Sequence, residues 1–399
     1  MPKVLAFSGS FWALFVLALS LRVLFSFAVS GFPPDIACFK GWADRVAAVG
    51  PSRFYSGEMY ADYPPGYIYI LWGIGKLKNL FGLSDASSAF LVLLKLPAIL
   101  ADLAIASLFY TLTRGRFGED KALALFALFA LNPAVGLDSA LWGQVDSVFV
   151  LPLLVGTFFL AKEAFALSAF FFALALLVKP QTLIFTPLWL FALIEKRSAM
   201  TFLQSIGVGL ATFVGLSLPF ALSKVLAIYR GAIGSYQYAT LNAFNFFALL
   251  GGNWVPDTQR ILFLSFREWG YVAIGVIVFL SALLFFSRKD EERFPMVAFF
   301  LAFSVFLFVH RMHERYLFPA LPFALWWYTH RLDRGVLALF LGLSATFLVN
   351  VGIVLLFGFY GVYQFPRYDI RLVGTSLANL VLWVFFLSLA LRRRKGEVL

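Results

Sequence analysis

The chain is nearly without cysteine, poor in charge and poor in histidine, and each shortage removes a class of protein. Cys38 is the only cysteine among 399 residues, so no disulfide can form within the chain and no thiolate metal cluster can be built. Asp, Glu, Lys and Arg together reach 13%, about half of what soluble globular domains carry. That excludes an ordinary water-exposed surface. The net charge of +11 does not read as a nucleic-acid surface either, because no basic face with interleaved polar residues is present.

What fills the chain instead is apolar: 61% hydrophobic residues and 49 phenylalanines, as expected where side chains face lipid. Crossing the hydrocarbon takes about 20 mainly apolar residues. Such stretches occupy 11–30, 88–111, 201–221, 269–286, 296–310, 334–358 and 373–391, with a shorter one at 316–329. Ala28-Val29-Ser30 resembles the end of a signal peptide, but the run from Phe11 is longer than a signal core and reads as an uncleaved first span. Positive charge comes in runs, Arg114–Arg116, Lys196–Arg197, Arg288–Arg293, Arg331–Arg334 and Arg392–Lys395. Basic loops stay cytoplasmic, which assigns the polar loops between them to the outer face.

Residues 121–194 hold two apolar stretches, broken by Asn132–Asp146 and by Lys179-Pro180. With basic runs on the same side before and after, an even number of spans must separate them. Two spans would bury Asp138, Gln144 and Asp146 in hydrocarbon, at ~2.5–3.5 kcal/mol or more for an ionised Asp. Four short spans put both breaks at the outer surface and are the expectation. Residues 67–81 read as an amphipathic helix along the outer interface, with Tyr67, Tyr69 and Trp72 at headgroup depth. The sum is an all-α polytopic membrane protein of about twelve spans, one domain over 1–399 with both termini cytoplasmic. Its main outer loops are 31–87, 222–268 and 359–372, and it has no internal repeat.

The outer loops carry the chemistry. Asp35 follows the first span at the membrane boundary, where a shielded carboxylate can take a proton from an alcohol; the plainer reading is a helix cap after Pro33-Pro34. Trp42, Asp62 and Tyr63 follow, Asp62 also reading as a turn former before Pro64-Pro65. Asp138, Trp142, Gln144 and Asp146 concentrate carboxylates, an amide and an indole in one short segment, an inventory suited to sugar hydroxyls and sugar faces; a solvated loop is the alternative. Asn242 and Asn245 stand among aromatics, either a carbohydrate lining or a membrane-interface belt. His310, Arg311, His313, Glu314 and Arg315 put positive charge on the outer side against the topology bias, which favours a lipid-linked phosphate over snorkelling. An i, i+3 histidine pair offers few metal ligands, and no metal or other cofactor is expected. Arg22, Lys95, Asp102 and Lys179 lie in or near spans; Lys95 and Asp102 share a helical face and could pair.

Together these segments resemble the GT-C superfamily of membrane glycosyltransferases. Asp35 with Phe39 and Trp42, then Asp62-Tyr63-Pro64-Pro65, resembles the first lumenal loop of the dolichyl-phosphate-glucose glucosyltransferases. Met312-His313-Glu314-Arg315 looks like their His-Glu-Lys motif with arginine replacing lysine, and the whole set is most similar to prokaryotic relatives of the GPI mannosyltransferases. The likeness runs over residues 11–330. It implies Asp35 as the catalytic base, with His313, Arg315 and Arg311 toward the donor phosphate. Trp42, Asp62, Tyr63, Asp138, Trp142, Gln144, Asp146, Asn242, Asn245 and Glu314 would lie toward sugar or acceptor. The implied reaction is inverting, metal-independent transfer from a polyprenyl-phosphate donor. The resemblance does not carry over the sugar or the acceptor; the expectation is a hexose, mannose or glucose, passed to a glycan, glycolipid or protein hydroxyl at the outer face of the cell membrane. The rival is a transporter or flippase of lipid-linked sugars, for which two alike halves with midplane charges would be expected.

Overall fold

The structure is a computed structural model that describes residues 7–57 and 60–392. Apolar segments that cannot bond their backbone to water must satisfy it internally, so the chain is helical almost throughout. The helices are α1 (Gly9–Ala28), α2 (Pro33–Val49), α3 (Pro51–Phe54), α4 (Pro65–Leu80), α5 (Ser88–Phe117), α6 (Glu119–Ala130), α7 (Pro133–Gly136), α8 (Asp146–Ala161) and α9 (Phe165–Val178). They continue as α10 (Thr186–Lys196), α11 (Ala199–Ser217), α12 (Leu222–Gly234), α13 (Phe246–Leu249), α14 (Phe266–Phe286), α15 (Arg293–Phe308), α16 (Ala320–Thr329), α17 (Arg334–Phe359) and α18 (Ile370–Ala390). A π-helical turn, Leu137–Trp142, follows α7, and a 3₁₀ segment, Pro180–Phe185, precedes α10. Short strands β1 (Thr240–Leu241), β2 (Arg260–Ile261), β3 (Leu264–Ser265) and β4 (Met312–His313) add two small pairings, β1 parallel to β4 and β2 antiparallel to β3.

Among the described residues, seven helical stretches are long and apolar enough to cross a membrane: Gly9–Ala28, Ser88–Phe117, Glu119–Trp142, Ala199–Phe220, Phe266–Phe286, Arg334–Phe359 and Ile370–Ala390. The chain is therefore a helical membrane protein. Three shorter apolar helices, α8, α9 and α15, accompany them. At one end the described basic runs gather in an ion-pair network. Glu195 pairs with Lys289 and Arg293, Lys162 meets Glu291 at 2.7 Å, Lys196 meets Glu163, and Arg331 meets Glu292 at 2.6 Å. Arg393, Arg394 and Lys395 lie outside the described residues. The opposite end carries the polar segments. Helix α15 is the central post, buried around nearly its whole circumference through Phe299, Phe300 and Phe303, while α11 and α14 expose most of their surface.

Three expectations are corrected here. The Leu137–Ser147 segment, expected at the outer surface with a solvated loop as the plainer alternative, is buried at Asp138, Gln144, Asp146 and Ser147, because α1, α5 and α17 pack on its π turn and Asp102 and Lys179 supply partners. Lys95 and Asp102 do not pair with each other. Asp102 binds Arg22 at 3.3 Å and accepts hydroxyl hydrogens from Ser139 (2.5 Å) and Ser147, whereas Lys95 bonds only backbone carbonyls. Helix α4 does occupy 65–80, but Tyr67 is fully buried against Phe39 and Tyr63 rather than exposed at an interface.

Candidate active site

Asp35 sits in the first turn of α2, which Pro33 and Pro34 start by fixing φ where a free amide would be wasted. It does not cap that helix, whose N-cap Phe32 has no side-chain bond. Its Oδ2 instead accepts from the Trp142 indole at 2.7 Å and the Gln144 amide at 2.8 Å, and lies 3.4 Å from the Arg315 guanidinium. All three partners converge on one oxygen. Among the described residues Oδ1 has no bonded partner, and Asp35 lines a cavity of about 850 Å³, within the size range of small-molecule sites.

The π turn explains the two donors. Its extra residue per turn moves Trp142 and the following Gly143, in the left-handed region at φ 89°, so that indole and Gln144 amide both aim at α2. Trp142 is fully buried, stacked on Phe32 at 4.3 Å and covered by Arg315 at 4.8 Å. Neither of its faces can take a sugar, and Gln144 is equally buried; both serve Asp35 instead of lining the cavity.

Arg315 is the hub of the site. It bonds Glu314 at 2.6 Å, reaches Asp35, and approaches Asp146 at 3.9 Å. Burial disfavours its charge, but Asp35, Glu314 and Asp146 outweigh this and hold it firmly protonated. Burial in turn raises Glu314, with Arg315 opposing. Lys179, the C-cap of α9, pairs with Asp146 at 2.8 Å and reaches Gln144 at 3.3 Å. Asp138 is buried beside this cluster with neither oxygen bonded, and like Asp146 and Glu314 it does not line the cavity.

His313 ends β4 opposite Leu241 and packs edge-on against Tyr236 at 4.8 Å. Burial, then Arg315 and Lys179, push it down to about 3, so it faces the cavity as a neutral imidazole and not as a cation. Arg311 also borders the cavity, but its Nε and terminal nitrogen hold the buried Asp257, each at 2.7 Å. The compensation that outer positive charge requires is thus supplied by this carboxylate. Among the described residues Asp62 caps no turn amide; it accepts from Tyr60 at 2.7 Å and Tyr236 at 3.3 Å on the cavity wall, beside Trp42 and Tyr63.

Asn242 and Asn245 lie outside the cavity lining. Asn242 accepts from Trp254 and the Phe365 amide and donates to the Tyr363 carbonyl; Asn245 caps α13 and donates to Phe306. Their amides are spent on backbone groups that have no helical partner, a scaffold role. Lys224 on α12 lines the cavity and has no partner among the described residues. It was legible only as a further basic residue in an outer loop. Gln181 and Tyr60 also line it and carried no signal. No group of metal ligands occurs among the described residues. Compared with known protein families and with curated proteins, the chain matches none.

Proposed function

We propose that the chain is a membrane glycosyltransferase of the GT-C type, moving a hexose from a polyprenyl-phosphate donor to an acceptor hydroxyl on the extracytoplasmic face. The observation that carries this reading is Asp35: a carboxylate held by three donors on Oδ2, with Oδ1 unbonded among the described residues, lining a cavity bordered by Lys179, Lys224, His313 and Arg315. Oδ1 takes the proton from the acceptor hydroxyl as that oxygen bonds to the anomeric carbon from the face opposite the phosphate. The carbon–phosphate oxygen bond breaks and lipid phosphate leaves as an anion, inverting the centre. Because the leaving group is already anionic, one base and nearby cations are the minimum that the reaction asks for.

Lys224 and the neutral N–H of His313 are the best candidates for the phosphate, since Arg311 is committed to Asp257 and Arg315 to carboxylates. Asp62 with its two phenols offers acceptors and a ring face to a sugar. In this reading the seven long stretches and the shorter α8, α9, α10, α15 and α16 make twelve crossings. The basic end is cytoplasmic and no metal takes part. A transporter fits less well: the Arg22–Asp102 pair is tied to Ser139, Ser147 and the Ala130 carbonyl and lines no part of the cavity.

The test is incubation of purified protein with polyprenyl-phosphate mannose and glucose plus mixed glycan acceptors, scored by mass spectrometry for free polyprenyl phosphate. Acceptor-dependent release supports the reading. Translocation of the intact donor across proteoliposomes without release would assign the protein to the transport class.

A further inference from the structure

Arg22, Lys95 and Asp102 are buried ionisable groups on α1 and α5 that take no part in the proposed chemistry. Such groups are costly in a membrane and call for a function. Arg22 and Asp102 pair with one another, but Lys95 has no acidic partner. Its ammonium donates to the Val29 carbonyl at 2.7 Å, the Ala140 carbonyl at 2.8 Å and the Leu141 carbonyl at 3.3 Å. These three acceptors match its three hydrogens.

The acceptors come from two separate places. Val29 is the C-cap of α1, six residues before Asp35; Ala140 and Leu141 lie in the π turn, immediately before Trp142. The ammonium therefore ties the segment that carries the carboxylate to the turn that carries its indole donor. The two are joined again where the Phe32 amide donates to the Trp142 carbonyl at 3.0 Å. There is no slack between them. A Cβ on Gly31 would meet the Trp142 carbonyl at 2.7 Å, and one on Gly143 would meet Ile36 at 2.8 Å and Lys95 Cε at 3.2 Å.

We infer that Lys95 is a positioning residue: it fixes the distance between Asp35 and the Trp142 indole by clamping the α1 terminus to the π turn. This rests on the reading of Asp35 as a base only for its effect on rate; the geometric consequence stands apart from it. Lys95→Met keeps the stem and removes the ammonium, so the Val29 and Leu141 carbonyls lose this donor and the Ala140 carbonyl keeps only the Ser26 hydroxyl, and the turn can slide on α2. A misplacement of about 1 Å in a catalytic group can cost about 10²-fold in rate.

The experiment uses the full chain in detergent, ¹⁵N-labelled at tryptophan, with the Trp142 indole signal identified by its loss in Trp142→Phe. In Lys95→Met that proton should move upfield as its bond to Asp35 lengthens, while Lys162→Met, at the far basic end, leaves it in place. With polyprenyl-phosphate mannose or glucose, whichever the wild type uses, kcat should fall at least about tenfold, and up to about 10²-fold, with KM nearly unchanged. An unmoved indole in folded Lys95→Met, or a raised KM with intact kcat, overturns the inference. If Lys95→Met does not fold, Lys95→Gln, which keeps two donor hydrogens, is read against the same criteria. An indole that moves in a protein for which no donor is turned over would refute the transferase reading and leave the clamp standing.

Discussion

Replacing Arg311 by methionine removes the partner of Asp257, a carboxylate with no accessible surface. Two arginine nitrogens converge on Asp257 Oδ2, and the arginine itself is largely covered, 16% of its side chain being accessible. Taking one partner from a buried pair costs about 3–5 kcal/mol, because the remaining charge stays buried; the partial exposure of Arg311 argues for the lower end, about 3 kcal/mol. Asp257→Asn in the same chain removes the orphaned charge and should recover part of that loss, giving a coupling of about 0.5–3 kcal/mol in a double-mutant cycle. Unfolding in mixed micelles, followed by tryptophan fluorescence, measures all four corners. Donor affinity should stay near wild type in the double variant. If Arg311 held the donor phosphate instead, affinity would fall about 10–150-fold, the worth of a charged hydrogen bond. Additive unfolding energies together with that loss would refute the scaffold role.

Four further outcomes follow from the same geometry. Burial, then the charges of Asp35 and Asp62, push the Cys38 thiol up, so maleimide labelling should be slow at pH 7 and rise steadily toward pH 9. Bound polyprenyl-phosphate sugar should block it; labelling unaffected by donor would place Cys38 outside the binding path. Burial lowers His310 to about 4 and His313 to about 3, so below their unfolded value of 6.5 the unfolded chain binds protons that the folded chain refuses. Stability should therefore fall as pH drops from 7 to 5, by up to about 1.4 kcal/mol per pH unit for each histidine, and the fall should shrink in the His310→Gln, His313→Gln double variant; an identical slope would contradict the burial argument. Lys224→Ala should weaken donor binding about 10-fold or more at unchanged stability, and unchanged affinity would remove it from the phosphate site. In a Cys38→Ser background, an impermeant reagent should label Gln364→Cys in intact cells and spare Ser287→Cys; the reverse would place the basic end outside.

The helical membrane class was legible because long apolar runs and clustered basic residues act locally, through hydrogen-bond satisfaction and orientation. Asp35, His313 and Arg315, which do line the cavity, stand out as candidates for a related reason: polar residues at span ends are conspicuous against an apolar background. The π turn was not. Nothing in Leu137–Trp142 signals one extra residue per turn, so Trp142 and Gln144 read as ligand groups when they are the hydrogen-bond donors of Asp35. Pairings distant in sequence were equally hidden: Arg22 and Asp102 are 80 residues apart, and Lys179 and Asp146 are 33 apart. Asn242 and Asn245 illustrate the remaining difficulty, since an amide that binds a sugar and one that binds stray backbone have the same composition around them.

The most direct measurement is single-turnover transfer by Asp35→Asn, with donor binding and unfolding followed on the same preparation. Asparagine keeps an acceptor for the Trp142 indole but cannot take the acceptor's proton. Transfer should fall at least about 10²-fold, the usual contribution of a positioned base, while donor affinity and stability stay near wild type. Near-full transfer by Asp35→Asn would contradict Asp35 as the base and leave it a structural acceptor for Trp142 and Gln144.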